Sequence, residues 1–103
     1  MGVREEAQAA YISVTRLLAD EAAATGDADG ATRYYLRILE RDAYDEAAHL
    51  GLVGALLAAG RHGEGRRRYG IYSDKMDEMG VEAAPFPSAP GRGRGGAAAT
   101  ATR

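Results

Sequence analysis

The chain is 103 residues long, and Ser88 to Arg103 hold nothing aromatic, so the foldable part is residues 1–87; a domain that size buries only about 60–65% of its unfolded surface and is marginally stable unless something covers it. A formal charge of −2 and an isoelectric point near 5.6 exclude a whole-chain basic field for nucleic acid. With no cysteine, disulfides, thiolate metal sites and cysteine nucleophiles are excluded as well.

No apolar run approaches the roughly 18–20 residues that a membrane span needs, and Met1-Arg4-Glu5-Glu6 is not the basic start of a signal peptide. A cytoplasmic protein without membrane contact is the expectation. A single lysine, Lys75, among many arginines, with abundant alanine and glycine, carries the codon bias of a GC-rich genome.

From the start, Val3, Ala7, Ala10, Val14 and Leu17 recur at a 4-3-4-3 spacing, with Tyr11, Leu18 and Ala22 broadening the stripe. This predicts one long amphipathic helix that buries that stripe and stops at Gly26. Asp27 is placed to cap a second helix, in which Ala31, Tyr34, Tyr35, Ile38 and Leu39 form the buried face while Asp29, Arg33, Arg37 and Arg41 line the solvent face. The stretch Asp42-Ala43-Tyr44-Asp45 breaks it.

A third helix runs from Glu46 to Ala59 with His49 as its only strongly polar side chain after the first residue, so it must be covered on more than one side. Gly60 stops it. A fourth helix runs from about Gly63 to Met79, with Tyr69, Tyr72, Met76 and Met79 at 3-4-3 spacing, and Gly80 ends it; beyond about Pro85 the chain is expected to be irregular, and Ser88–Arg103 to be a disordered Gly/Ala/Arg-rich tail.

An offset of 34 residues superposes Gly26 on Gly60, Ala24 on Ala58, Leu18 on Leu52, Arg33 on Arg67 and Tyr35 on Tyr69. That is the tetratricopeptide period. The predicted fold is therefore all-α, a four-helix antiparallel array of two tetratricopeptide-like hairpins. In that register Ser13, Arg16, Asp20, Ala23 and Ala24 face a groove from the first repeat. Ala47, Leu50, Gly54, Leu57 and Ala58 face it from the second. The first set is polar enough to grip a peptide; the second is wholly apolar and is expected to need a cover.

The stretch Leu39-Glu40-Arg41-Asp42-Ala43-Tyr44-Asp45-Glu46-Ala47-Ala48-His49, then Leu56-Leu57-Ala58-Ala59-Gly60-Arg61 and Met79-Gly80-Val81-Glu82, resembles the bacterial transcriptional activator domain of Streptomyces antibiotic regulatory protein (SARP)-type activators, over about Arg16 to Pro87. The resemblance implies a tetratricopeptide-like array used for self-association and for contact with the transcription machinery or a neighbouring domain, without the winged helix that reads DNA. Two positions depart from the family: Ala43, where proline is usual, and Gly65, where alanine is usual and glycine costs roughly 1 kcal/mol of helix stability.

Other candidate sites have plainer readings. Arg61, His62, Arg66, Arg67 and Arg68 form a basic concentration that suits an acidic partner, but consecutive helical residues fan out over about 200° and Glu64 is spaced to pair with Arg68. His49 and His62 lack the converging donors a metal needs, and Ser13, Ser73 and Ser88 lie in no nucleophile motif. The tyrosines Tyr11, Tyr34, Tyr35, Tyr69 and Tyr72 sit at packing positions. No phosphate loop, cofactor or metal is expected, and no enzyme. Two functions remain: the interaction and oligomerisation module of a SARP-like regulator, binding protein as a homodimer or through a neighbour domain, or a free-standing adaptor that binds another protein.

Overall fold

The computed structural model describes residues 2–87 and is all helical apart from its turns and its last segment. The helices are α1 (Gly2–Ala24), α2 (Ala28–Arg41), α3 (Glu46–Ala58) and α4 (His62–Glu78). The disorder expected of Ser88–Arg103 lies outside the described residues.

Three helices end with one device. Gly26, Gly60 and Gly80 have φ of 87°, 80° and 73°, a left-handed conformation that costs glycine little. The N–H of the following residue then reaches back to a carbonyl of the last turn: Asp27 to Ala22 at 2.8 Å, Arg61 to Leu56 at 2.8 Å and Val81 to Met76 at 2.9 Å. These are Schellman closures, and they satisfy helix ends that would otherwise leave carbonyls unpaired. The α2–α3 corner uses polar side chains instead. The Tyr44 N–H donates to Asp42 Oδ1, and Asp45 caps α3 by accepting from the Ala48 N–H at 2.9 Å. An aspartate capping turn does there what the missing proline at Ala43 does not.

Each helix packs on the next in sequence. Gln8 meets Arg41 and Asp20 meets Tyr35, so α1 and α2 run antiparallel. Glu46 meets Tyr72 and Leu57 meets Gly65, so α3 and α4 do too. Tyr35, Ile38, Leu52, Val53, Leu56, Tyr72 and Met76 are buried, with Ala19, Ala31 and Ala48 where helices approach closely. The expected buried face of α2 is the observed one, and Asp29, Arg33, Arg37 and Arg41 are exposed.

α1 turns differently from the expectation. Its inward residues are Ile12, Thr15, Ala19 and Ala22, while Val14, Leu17 and Leu18 are 56%, 70% and 44% exposed. Small side chains on α1 let the bulky Tyr35 and Ile38 of the core fit against it. The Thr15 hydroxyl donates to the Tyr11 carbonyl at 2.7 Å, which lets a polar residue lie inside.

The chain is non-helical from Val81, as the stop expected at Gly80 implies, yet it is tied down. The Ala84 N–H donates to the Tyr72 hydroxyl at 2.7 Å, the Tyr69 hydroxyl donates to the Ala84 carbonyl at 2.6 Å, and Phe86 meets the Tyr69 ring edge-on at 5.3 Å. Residues 81–87 thus form a strap against the side of α4 that carries Tyr69 and Tyr72.

Candidate functional site

By alternation, α1 and α3 run in the same direction, and a groove lies between them. At one end the Arg16 guanidinium donates two hydrogen bonds to Asp45, at 3.1 and 2.6 Å. The pair is partly shielded, with side chains 31% and 12% exposed, and its bidentate geometry is the strong form of such a contact. Burial by itself pushes the Asp45 carboxyl up, but the Arg16 bond and the Ala48 N–H outweigh it and hold the carboxyl below its ordinary value; the same bond raises Arg16. Asp45 therefore caps α3 and ties α1 to it.

Further along, the Tyr35 hydroxyl from α2 donates to Asp20 of α1 at 2.6 Å. Burial first, and this bond second, keep Tyr35 protonated far above the usual phenol range. Its ring lies so close to α3 that a Cβ at Gly51 would sit 2.5 Å from it, so glycine is required there by the close approach. Beyond Tyr35 the groove widens into a cleft of about 400 Å³ lined by Ala23, Gly26, Ala28, Tyr35, Gly51, Gly54, Ala55 and Ala58. At Gly54 there is open space in front of the backbone.

Of the residues expected to face a groove, Ala23, Gly54 and Ala58 line the cleft, while Arg16 and Asp20 border it through the bonds just described. Ser13, Ala24 and Ala47 are exposed outside it. Ala47, Leu50, Gly54, Leu57 and Ala58 do share the least buried side of α3. Leu50 and Leu57 are nevertheless half-buried, because Gly65 lets α4 come close enough for Leu57 to rest on it. The most exposed large apolar side chains, Val14 and Leu17, are on α1, which corrects the expectation of bare leucines on α3. It also gives Gly65 a packing reason that the helix-propensity reading lacks. The cleft residues that sequence reasoning missed are Gly26, Ala28, Tyr35, Gly51 and Ala55; for Gly51 a glycine inside an otherwise continuous apolar helix was the available signal.

The basic residues do not converge. Arg61 pairs with Glu64 at 3.2 Å and Asp29 at 3.6 Å, so Glu64 turns to Arg61 and not to Arg68, and Arg66 lies 5.0 Å from the Phe86 ring centre. Arg67 is exposed and Arg68 half-buried on other sides of α4. His49 is buried, with Nε2 2.7 Å from the Ala43 carbonyl and its ring against Tyr72. Among the described residues there is no group of three acidic or histidine side chains able to hold a metal ion, and no helix is long and apolar enough to cross a membrane.

No family model, curated protein or solved structure matches the chain.

Proposed function

We propose that this chain is a protein-interaction module that takes a segment of another protein into the groove between α1 and α3, in the setting its sequence resembles: the regulatory part of a SARP-like bacterial transcriptional activator, working in the cytoplasm beside a separate DNA reader. The cleft carries this reading. Its walls are small and apolar, its wall side chain Tyr35 is fixed by burial and by Asp20, and its helices are locked in register by Arg16 and Asp45. A pre-organised hollow of this kind spares a partner the cost of ordering it.

Only one Asp20 oxygen is engaged among the described residues, leaving the other as an acceptor for a backbone N–H or a cation. The fitting segment carries a small apolar side chain next to a basic or amide donor. The residues behind the family resemblance, Asp45 and His49, build the corner that starts α3, so they support the architecture of the groove and not a reaction. No catalytic role follows from them, since His49 is committed to Ala43 and Tyr72.

Amide-shift titration with short peptides bearing alanine or valine beside lysine or arginine tests the groove. Perturbations should gather at Ala23, Gly51, Gly54 and Ala58 and vanish in Gly54→Leu, which puts a side chain into the hollow from a helical position where a Cβ meets nothing within 4 Å. Shifts spread over α2 and α4, or binding unchanged in Gly54→Leu, would refute it. The regulatory setting is tested separately by the genomic reading frame upstream: a winged-helix segment in frame supports it, and its absence favours the free-standing adaptor.

A further inference from the structure

The two ends of the helical array are finished differently. At the α4 end the strap Val81–Pro87 lies over Tyr69 and Tyr72. At the α1 end nothing among the described residues covers Ala7, Ala10, Val14, Leu17 and Leu18, all exposed. These residues form one stripe about a third of a turn round α1 from the face that meets α2. A helical array leaves such a stacking face open at its end unless polar residues or a partner close it.

The stripe is graded: small residues, Ala7 and Ala10, come first, and large ones, Val14 and Leu17, come second. We propose that it is the interface for a second copy of this chain, with the two α1 helices antiparallel about a two-fold axis level with residue 12. That register sets Ala7 against Leu17 and Ala10 against Val14 of the second copy, and by symmetry the reverse, so each layer pairs a small side chain with a large one, as interdigitating helices require.

A parallel pair fails the same comparison, because it stacks alanine on alanine at one end, leucine on leucine at the other, and sets Glu21 against its own copy. The antiparallel register instead brings Arg4 of each chain beside Glu21 of the other. Its unfavourable edge carries Glu6 near Asp20 of the second copy, so attraction and repulsion offset each other and salt should change the dimer little. Five turns of helix meeting this way bury on the order of 1,000 Å² in total, at the low end of specific interfaces. This inference does not use the groove, which opens on the α3 side of α1.

The full chain is tested by size exclusion with light scattering from about 5 to about 500 μM, because an interface at the low end of the size range is expected to be weak. Wild type should pass from monomer to dimer. Leu17→Glu should shift the midpoint at least tenfold upward with unchanged helical circular dichroism, since Leu17 makes no core contact. Ala7→Leu should also weaken the dimer, and adding Leu17→Ala should restore it, because the layer regains one large and one small partner.

Since the chain has no cysteine, a mixture of Ala10→Cys and Val14→Cys chains reports the register directly. The mixed disulfide should outrun both self-disulfides. A monomer throughout, a dimer indifferent to Leu17→Glu, or predominance of the self-disulfides would overturn the proposal, whatever the groove binds.

Discussion

The two hairpins share a repeat length and a turn, yet their first helices live in different surroundings. Residues 34 apart show it: Leu18 is 44% exposed and Leu52 is 1% exposed, and Val14 is exposed where Ala48 is fully buried. α3 is held between α2 and α4 and is apolar almost all round. α1 has one neighbour in the sequence and one open side, and it is the longer helix, 23 residues against 13. Identical residue types at equivalent repeat positions thus have different energetic roles, because burial is set by what is stacked alongside and not by the repeat itself.

The largest effect follows from that pair. Leu52→Ala removes a fully buried side chain and should cost about 2–5 kcal/mol, a large part of the stability of a domain this small. Leu18→Ala, the same change 34 residues earlier, should cost under about 1 kcal/mol when measured in dilute solution where the chain is monomeric. Urea unfolding followed by circular dichroism gives both. Equal losses would mean that α1 is covered on both sides even in the monomer, and the contrast between the hairpins would be lost.

Much of this organisation was legible in the sequence, and what escaped has physical causes. Gly26, Gly60 and Gly80 announced the helix ends because only the left-handed conformation closes them cheaply, and the α2 pattern was clear because its charges and aromatics alternate at helical spacing. On α1 Ala22 lies inward as expected, but the rest of the inward face was missed because Thr15 and Ala19 are weakly apolar while Val14 and Leu17 are strongly so. Hydrophobicity marks what prefers burial; the bulk of Tyr35 and Ile38 on α2 decided what fits. The groove contacts Arg16–Asp45 and Tyr35–Asp20 join residues 29 and 15 apart, and no local spacing rule connects them. The strap escaped for a similar reason: it is held by tyrosine hydroxyls against backbone groups, which no side-chain pattern encodes.

The α2–α3 corner offers a test of intermediate size, since the position 34 residues before Asp45 is Tyr11, in mid-helix, and the first hairpin has no counterpart of the Arg16–Asp45 tie. Asp45→Ala removes a helix cap and leaves a half-buried guanidinium unpaired, with an expected loss of about 2 kcal/mol. Asp45→Asn, which still caps, should lose less. The folded-state carboxyl is held below its ordinary value of 3.8, so its contribution is fully present above that pH and is lost as pH falls through the lower, folded value. Unfolding curves between about pH 2 and 5 should therefore flatten in Asp45→Asn relative to wild type. An unchanged acid limb would show that the ion pair adds nothing to folding.

The smallest effect concerns the two helix starts that the repeat makes equivalent. Asp27 and Arg61 have nearly the same backbone, φ −89° and ψ 76° against φ −94° and ψ 67°. Asp27 caps α2 by accepting from the Gly30 N–H at 2.9 Å, whereas Arg61 gives α4 no side-chain cap and puts a cation at the positive end of the helix dipole. Arg61→Ser supplies the missing acceptor for the Glu64 N–H. Only that half of a capping box can form, because the Arg61 N–H is already spent on the Leu56 carbonyl. The exposed ion pairs of Arg61 with Asp29 and Glu64 are lost, at little cost for contacts so open to water. The balance should favour the variant by about 0.5 kcal/mol, which raises Tm by roughly 2–4 °C in a domain of this size. Calorimetry on matched dilute samples resolves such a shift. A fall in Tm would show that the Arg61 bridge between α2 and α4 holds the two hairpins together more strongly than a cap would.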